Sequence, residues 1–172
     1  MNFLTSLGSK GQEGAEGKQK DPIETRIMNT NPVLEAFGNS RTARNDNSSR
    51  FGKYIKLYFD KSDGLCLGAK IQNYLLEKSR VVGCTDVERN YHVFFFIMRG
   101  ADIELCKKLQ LAHPNGKRKT WSDFKYLEKC NDLKTIKVDG VEKQITMEAN
   151  DIKEYEDLAN AFVSLGFSPE QI

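Results

Sequence analysis

A short, strongly apolar segment limits the architectures that this chain can adopt. The longest uninterrupted apolar block runs from Val93 to Met98 and is only six residues long. A membrane-spanning helix needs about 18 or more apolar residues, so the sequence predicts no transmembrane segment. The motif TDVE at residues 85–88 is a capping box, in which the Glu88 carboxylate is expected to bond back to the helix start. We therefore predict a buried helix from Thr85 to about Arg99.

Length and charge describe a protein of ordinary globular composition. The chain has 172 residues, of which 39% are hydrophobic and 29% charged, and a single domain is about 100–200 residues long. The net charge is +2, from 26 basic and 24 acidic residues, so charge alone does not indicate a polyanion binder. The local basic runs at residues 41–56 and 113–119 lack exposed aromatic residues between the charges, and we expect no nucleic-acid partner.

The cysteines and histidines do not indicate a metal site or a catalytic triad. No two cysteines are separated by only two residues, whereas zinc sites bring their ligands in close pairs; the cysteines are Cys66, Cys84, Cys106 and Cys130. We interpret them as reduced, mostly structural thiols. We interpret His92 as a packed residue and His113 as a surface residue, because neither has partners at a triad-like spacing.

The first half of the chain predicts helices followed by a strand pair. Apolar spacing between residues 22 and 38 favours two short helices, the second with Asn31 as its cap and Pro32 as its first residue. Residues rich in β-branched and aromatic side chains predict strands at 53–60 and 65–76, joined as a hairpin.

The second half predicts further helices at residues 101–111 and 151–165. Between them, the stretch KTIKVDGVE is typical of an extended segment with a turn at Asp139 and Gly140. Together these elements predict an α/β fold.

The two ends of the sequence differ from the rest. Residues 3–7 resemble the end of a helix, and residues 8–21 contain no apolar side chain larger than alanine, so we expect residues 1–21 to be a helix end and a flexible surface loop. Residues 22–172 are expected to be the ordered part. Ser168 and Pro169 are typical of a helix start, and we expect the chain to be a central slice of a longer protein.

A polar loop between a predicted helix and a predicted strand carries the candidate chemistry. This loop, called the polar loop below, is NDNSSRFGK at residues 45–53. Amides donate to phosphate oxygens, a serine hydroxyl is a ligand for Mg²⁺, and an arginine binds a carboxylate or phosphate through two N–H groups. The alternative interpretation is a solvated, turn-rich loop without a ligand.

Several ordered segments resemble the myosin motor domain. The segment NPVLEAFGNSRTARNDNSSRFGK at residues 31–53 resembles that family around its switch I loop, and GAKIQNYLLEKSRVV at residues 68–82 resembles the strand and turn that follow. ERNYHVFF at residues 88–95 resembles the next helix, and residues 154–168, which end in LGFS, resemble the segment ahead of the relay region. The resemblance covers residues 22–172 in order.

The resemblance implies a fold and a function. It implies part of a P-loop NTPase-like head, with helices packed on a few strands of the central (transducer) sheet. It also implies an actin-activated Mg-ATPase that moves along actin filaments, with ATP and Mg²⁺ as cofactors, actin and ATP or ADP as partners, and a cytoplasmic, cytoskeletal location.

The resemblance also implies individual roles in the polar loop. Ser49 would be the Mg²⁺ ligand, and Ser48 would contact the γ-phosphate and the attacking water. Asn45 would bind the phosphate chain, with Asn47 beside it as a further nucleotide-binding residue. Ser48 and Arg50 would be the catalytic residues, and Arg50 would pair with a glutamate of switch II.

Two parts of such a motor do not occur in the sequence. The chain contains no GxxxxGK[ST] phosphate-binding motif, since Gly17-Lys18 is followed by glutamine and has Gln12 in place of the first glycine. Switch II is expected beyond Ile172. The isolated chain is therefore expected to be inactive, and the alternative hypothesis is a separate, non-catalytic myosin-like polypeptide that binds a partner or is vestigial.

Overall fold

The computed structural model describes residues 23–64 and 66–172, so the predicted helix end and loop at residues 1–21 lie outside the described residues. The helices are α1 (Ile23–Gly38), α2 (Lys78–Val82), α3 (His92–Gly100), α4 (Ile103–Lys108) and α5 (Glu148–Ser164). The strands are β1 (Asn39–Ser40), β2 (Ser48–Ser49), β3 (Phe51–Phe59), β4 (Cys66–Leu76), β5 (Leu133–Val138) and β6 (Val141–Thr146). This mixture of helices and strands confirms the predicted α/β class. None of the helices described is long and apolar enough to cross a membrane.

The strands of this part of the chain form three separate antiparallel pairs. β3 pairs with β4, with Ile55 opposite Ile71, which confirms the predicted hairpin. β5 pairs with β6 through Asp139 and Gly140, whose φ angles are 53° and 79°. Two consecutive residues with positive φ match the twist of a tight hairpin, so the predicted turn is confirmed as well.

α1 is a single helix of 16 residues that continues through Pro32. The prediction of two short helices is therefore wrong. A proline inside a helix removes one backbone hydrogen bond and favours a break. Here Ala36 is fully buried and Val33 packs against the same core cluster. Burial of this helix face outweighs the local preference of proline, because packing supplies most of the stability of helices in proteins.

α3 lies at the centre of the packing. Val93 and Phe96 join one cluster of buried side chains, which also contains Ala36 of α1 and Leu158 of α5. Phe95 and Met98 point into a second cluster, which also contains Leu127 and Cys130. The apolar block is thus buried on two faces, as predicted.

The start of α3 differs from the prediction. The helix begins at His92 instead of Thr85. The Glu88 carboxylate, which was expected to complete a capping box, lies 2.7 Å from the Arg80 guanidinium. A hydrogen bond between two charged groups is about twice as strong as one between neutral groups, so Glu88 turns towards α2 and the capping box does not form.

The helices predicted at residues 101–111 and 151–165 are present as α4 and α5, with ends displaced by up to three residues. α3 and α5 approach closely at Gly100. A Cβ atom at this position would lie 2.3 Å from the Cβ and Cγ atoms of Tyr155. The absence of a side chain at Gly100 therefore allows the two helices to pack against each other.

A buried cluster of charged side chains joins α3 to α5. The Asp151 carboxylate accepts hydrogen bonds from Arg89 at 2.9 Å and from Arg99 at 2.5 Å. Arg99 also donates to both oxygens of Asp132, at 3.0 and 2.7 Å. The side chains of Arg89 and Asp151 are fully buried, and the Arg89 guanidinium lies 3.8 Å from the centre of the Phe95 ring. We call these four charged residues the buried ion cluster.

We expect Asp151→Ala to lower the free energy of unfolding by about 3–5 kcal/mol, because it leaves two guanidiniums without their shared carboxylate. Urea denaturation followed by circular dichroism measures the change. Asp157→Ala is the matched control, since Asp157 is an exposed residue of the same helix, and its effect should stay within about 0.5 kcal/mol. Equal effects of the two substitutions would contradict a special role for the cluster.

Candidate functional site

The first six residues of the polar loop lie in a small hairpin, residues 39–50, that connects α1 to β3, and its last three residues begin β3. We call residues 39–50 the polar hairpin. β1 pairs with β2, with Asn39 opposite Ser49 and Ser40 opposite Ser48. The carbonyl of Gly38 accepts a hydrogen bond of 2.9 Å from the Arg50 amide. A Cβ atom at Gly38 would lie 2.3 Å from the Phe51 ring. The glycine that ends α1 therefore also lets the two ends of the hairpin meet.

The side chain of Asn47 is held from three directions. Its Nδ2 donates to Glu35 of α1 at 2.9 Å. Its Oδ1 accepts from Asn39 Nδ2 at 2.9 Å and lies 3.2 Å from His92 Nε2 of α3. The Asn47 amide thus fixes the hairpin to α1 and α3, and its polar atoms face protein partners.

The two serines of the hairpin use their hydroxyls differently. Ser49 Oγ donates to Asn39 Oδ1 at 3.1 Å, which leaves the oxygen lone pairs of an exposed residue available. Ser48 Oγ accepts from Arg50 at 3.1 Å. Magnesium prefers oxygen ligands, so Ser49 fits the predicted metal ligand in its chemistry and in its accessibility.

Asn45 shapes the tip of the hairpin. Its side-chain Oδ1 accepts from the backbone N–H of Asn47 at 2.9 Å, and its backbone carbonyl accepts from the backbone N–H of Thr42 at 2.8 Å. The first bond is typical of an asparagine turn. The Nδ2 group of this exposed residue has no protein partner among the described residues, and its predicted contact with a phosphate stays a prediction.

Arg50 is the first member of a chain of alternating charges. Arg50 Nε donates to Glu77 at 2.6 Å, and Arg80 Nε donates to the same carboxylate oxygen at 2.8 Å. Arg80 continues to Glu88 at 2.7 Å, and Glu88 accepts from the Ala43 amide at 3.4 Å. We call Arg50, Glu77, Arg80 and Glu88 the charge ladder. Because Arg50 lies at the end of the hairpin and Glu88 bonds to Ala43 within it, the ladder connects the hairpin to α2 at two points.

The charge ladder changes the acidity of its members. The hydrogen bond from Arg50, with a further one from Arg80, lowers the pKa of Glu77 to about 2 despite its partial burial. The pKa of Arg50 is raised by the same hydrogen bond. Both groups are therefore charged throughout the neutral range. The pairing of Arg50 with a glutamate of switch II, which the resemblance implies, stays a prediction.

A second set of charges ties the hairpin to the β5–β6 pair. Asp46 forms ion pairs with Arg41, at 3.3 Å, and with Lys134 of β5. Asp46 is about one-third exposed, and exposed ion pairs contribute little stability on their own. Their effect here is to orient the side of the loop that faces β5.

Burial controls the protonation of His92. The side chain is 5% exposed, and this burial, with the positive charge of Arg89, lowers its pKa to about 4. His92 is therefore neutral at physiological pH. Because Asn47 Oδ1 is an acceptor, the neutral ring carries its proton on Nε2 and donates to it.

The sequence predicted the polar loop and missed the residues that hold it. Asn39 and Glu77 were assigned no role, and His92 was interpreted as a packed residue. His92 is buried, as this interpretation requires, but its hydrogen bond to Asn47 was not predicted. A polar side chain within a strongly apolar block is a signal that such a partner exists, but the partner itself lies 45 residues away.

The described residues contain no group of three or more histidine, cysteine or acidic side chains positioned to hold a metal ion. A metal at the polar loop would therefore depend on hydroxyl and phosphate oxygens. The arrangement offers one accessible hydroxyl, one free amide and an arginine held by a carboxylate, which together suit a phosphate ester and its hard cation.

Comparisons with known proteins agree with the resemblance. The family described as myosin head (motor domain) matches residues 1–172. The chain is 41% identical to unconventional myosin-Ia of Bos taurus over its whole length and 44% identical to myosin type-2 heavy chain 1 of Schizosaccharomyces pombe over 99% of it. It is 43% identical to myosin-3 of Caenorhabditis elegans over 87% of its length. The matches cover only 14%, 10% and 7% of these relatives.

We expect the stability of the protein to fall between pH 6.5 and pH 4 because of His92. The unfolded chain binds a proton at this residue near pH 6.5, whereas the folded protein binds it only near pH 4. Acidification through this window therefore favours unfolding, by up to about 3 kcal/mol, and the contribution is constant above it.

Urea denaturation at a series of pH values tests this expectation. The variant His92→Gln keeps an amide donor for Asn47 but has no titratable ring, so its stability should decline less over the same window. Parallel pH profiles for the variant and the unmodified protein would contradict the role given to His92.

Proposed function

The chain belongs to the myosin motor domain family, and from this premise we propose that it is part of an actin-activated Mg-ATPase that moves along actin filaments. The chain contributes the switch I loop, which is the polar loop. The observation that supports this function best is the geometry of Ser49: its hydroxyl donates inward to Asn39 and keeps its lone pairs for a cation. Asn47, anchored by Glu35 and His92, holds the side chain of Asn39, which accepts from that hydroxyl.

In this proposal the residues of the polar loop contact different parts of the nucleotide and its metal ion. Ser49 is the ligand of Mg²⁺, which neutralises charge on the phosphates when bound. Ser48 contacts the γ-phosphate and the attacking water, and Asn45 binds the phosphate chain. Asn47 lies in the same loop and acts through the position it gives to its neighbours.

Arg50 closes the site in this proposal. Its guanidinium is held by Glu77 and donates to Ser48, so it is oriented before a nucleotide arrives. Pairing with a glutamate of switch II would bring the opposite wall of the site towards Ser48. Positioning of groups around the phosphate supplies most of the catalysis in this class of reaction.

The remaining parts of the proposal concern the whole motor. β3 and β4 belong to its central sheet, in agreement with the exposed side chains of Tyr54, Tyr74 and Leu75, which need covering neighbours. Residues 22–172 form the central part of the motor domain. The partners are actin filaments, ATP and ADP, and the location is the cytoplasmic cytoskeleton.

In a full-length motor that contains this sequence, we expect Ser49→Ala and Arg50→Ala each to reduce ATP hydrolysis on the order of 100-fold or more, because each removes a group that stabilises transition-state charge. Single-turnover measurements with Mg-ATP give the rate. Lys61→Ala, in the turn between β3 and β4, is the control and should retain normal turnover. Normal hydrolysis by either loop variant would contradict its assigned role.

The alternative function is a non-catalytic polypeptide that binds a partner. It is favoured by one observation, which is that the 172 residues contain no GxxxxGK[ST] motif. Such a motif holds the β- and γ-phosphates in this class of enzyme.

We accordingly expect the isolated 172-residue chain to show no hydrolysis of Mg-ATP above the rate without protein, because only one part of the phosphate site is present. Release of labelled phosphate from purified protein measures this rate. Turnover that is abolished by Ser49→Ala and retained by Lys61→Ala would contradict the expectation.

A further inference from the structure

Two of the four cysteines lie next to each other in the folded protein. The Sγ atoms of Cys84 and Cys130 are 3.1 Å apart, and both cysteines are free. A disulfide has an S–S distance of about 2.0 Å, so the sulfur atoms need to approach by only about 1 Å. The cysteines are 46 positions apart in the sequence, and their meeting is a product of the fold.

One backbone hydrogen bond connects the two segments that carry the cysteines. The Asn131 amide, next to Cys130, donates to the carbonyl of Glu88, four residues after Cys84, at 2.8 Å. Cys84 lies in the irregular segment between α2 and α3. A segment without helix or strand hydrogen bonds accommodates a small displacement more easily than a helix does, so we expect Cys84 to move towards Cys130, which is held in the second core cluster.

Cys84 is accessible from a cavity of about 580 Å³. The charged part of its lining is balanced, with three basic residues, Arg80, Lys125 and Lys129, and three acidic ones, Glu77, Glu88 and Glu128. Cys84 itself is half-buried, whereas Cys130 is only 7% exposed. A small molecule that enters the cavity therefore reaches Cys84 first.

We propose that Cys84 and Cys130 form a reversible disulfide by exchange with a small disulfide of the glutathione type. The thiolate of Cys84 attacks one sulfur of the small disulfide and releases the first reduced thiol. The thiolate of Cys130 then attacks the Cys84 sulfur of the mixed disulfide and releases the second. Two protein thiols are oxidised, one small disulfide is reduced to two thiols, and the two cysteine protons pass to the two leaving thiolates.

The exchange is slow at neutral pH. Burial, together with the neighbouring Cys130 thiol, raises the pKa of Cys84 to about 12, and only a thiolate attacks a disulfide. The equilibrium is independent of this rate. The extent of oxidation at equilibrium is therefore the quantity to measure.

The disulfide would restrain the polar hairpin near Arg41. Arg41, which leads into the loop, accepts a backbone hydrogen bond from Arg89 at 3.1 Å and donates its side chain to the Asn131 carbonyl at 3.0 Å. A covalent bond between positions 84 and 130 joins the two segments that hold Arg41. Oxidation thus restrains the segments that hold Arg41, and we expect it to raise the urea concentration at which half of the protein is unfolded.

Equilibration of the 172-residue chain in glutathione buffers of graded oxidation tests the proposal. After acid quenching and alkylation, peptide mass spectrometry identifies the linked cysteines. We expect a Cys84–Cys130 linkage to form in native buffer at an oxidant ratio at least about tenfold lower than in concentrated urea, because the fold raises the effective concentration of the two thiols.

Variants and controls complete the test. Cys84→Ser and Cys130→Ser should each abolish the linkage, whereas Cys66→Ser and Cys106→Ser should leave it unchanged. A linkage that forms no more readily in native buffer than in urea would overturn the proposal. Glutathione retained on Cys84 without the internal bond would overturn it as well.

Discussion

The buried ion cluster is the interaction on which the rest of the structure depends. A buried charge without a partner is far more costly than a buried pair, so Arg89, Arg99, Asp132 and Asp151 each require the others. They come from the segment before α3, from α3, from the residue before β5 and from α5. Satisfying all four fixes the relative positions of these segments. The apolar faces of α3 pack against the same segments.

The position of α3 determines in turn where the polar hairpin lies. His92, in the first turn of α3, donates to Asn47, and Arg89 donates through its backbone to Arg41. The charge ladder reaches the same hairpin from the side of α2, through Glu88 and the Ala43 amide. A loop of polar residues between a helix and a strand is ordinarily mobile. Here it is attached to the core at its entrance, at its middle and at its exit.

The parts of the fold that depend on local patterns were predictable from the sequence. The apolar block from Val93 to Met98 predicted the central helix, and Asp139-Gly140 predicted the turn of the β5–β6 pair. The predictions failed where a distant partner outweighed a local signal. Glu88 bonds to Arg80 instead of capping a helix, and α1 continues through Pro32 because its face is buried.

The candidate site was also predictable only in part. Residue types and the resemblance identified the polar loop, since asparagine, serine and arginine in that order have a recognisable chemistry. Its supports were not predicted, because a single sequence does not reveal that Asn39, Glu77 and His92 converge on the same few atoms. These contacts depend on the packing of α1 and α3, which in turn depends on the buried ion cluster.

The two adjacent serines show how the supports affect the proposed chemistry. Neighbouring residues of a strand point to opposite faces, so Ser48 and Ser49 have different partners. Ser48 accepts from Arg50, which is a member of the charge ladder, whereas Ser49 donates to the side chain of Asn39. The hydroxyl proposed for the phosphate and the hydroxyl proposed for the metal ion are therefore held by separate networks. A shift of Arg50 reaches Ser48 directly and reaches Ser49 only through the backbone, so the metal ligand can keep its place while the phosphate contact changes.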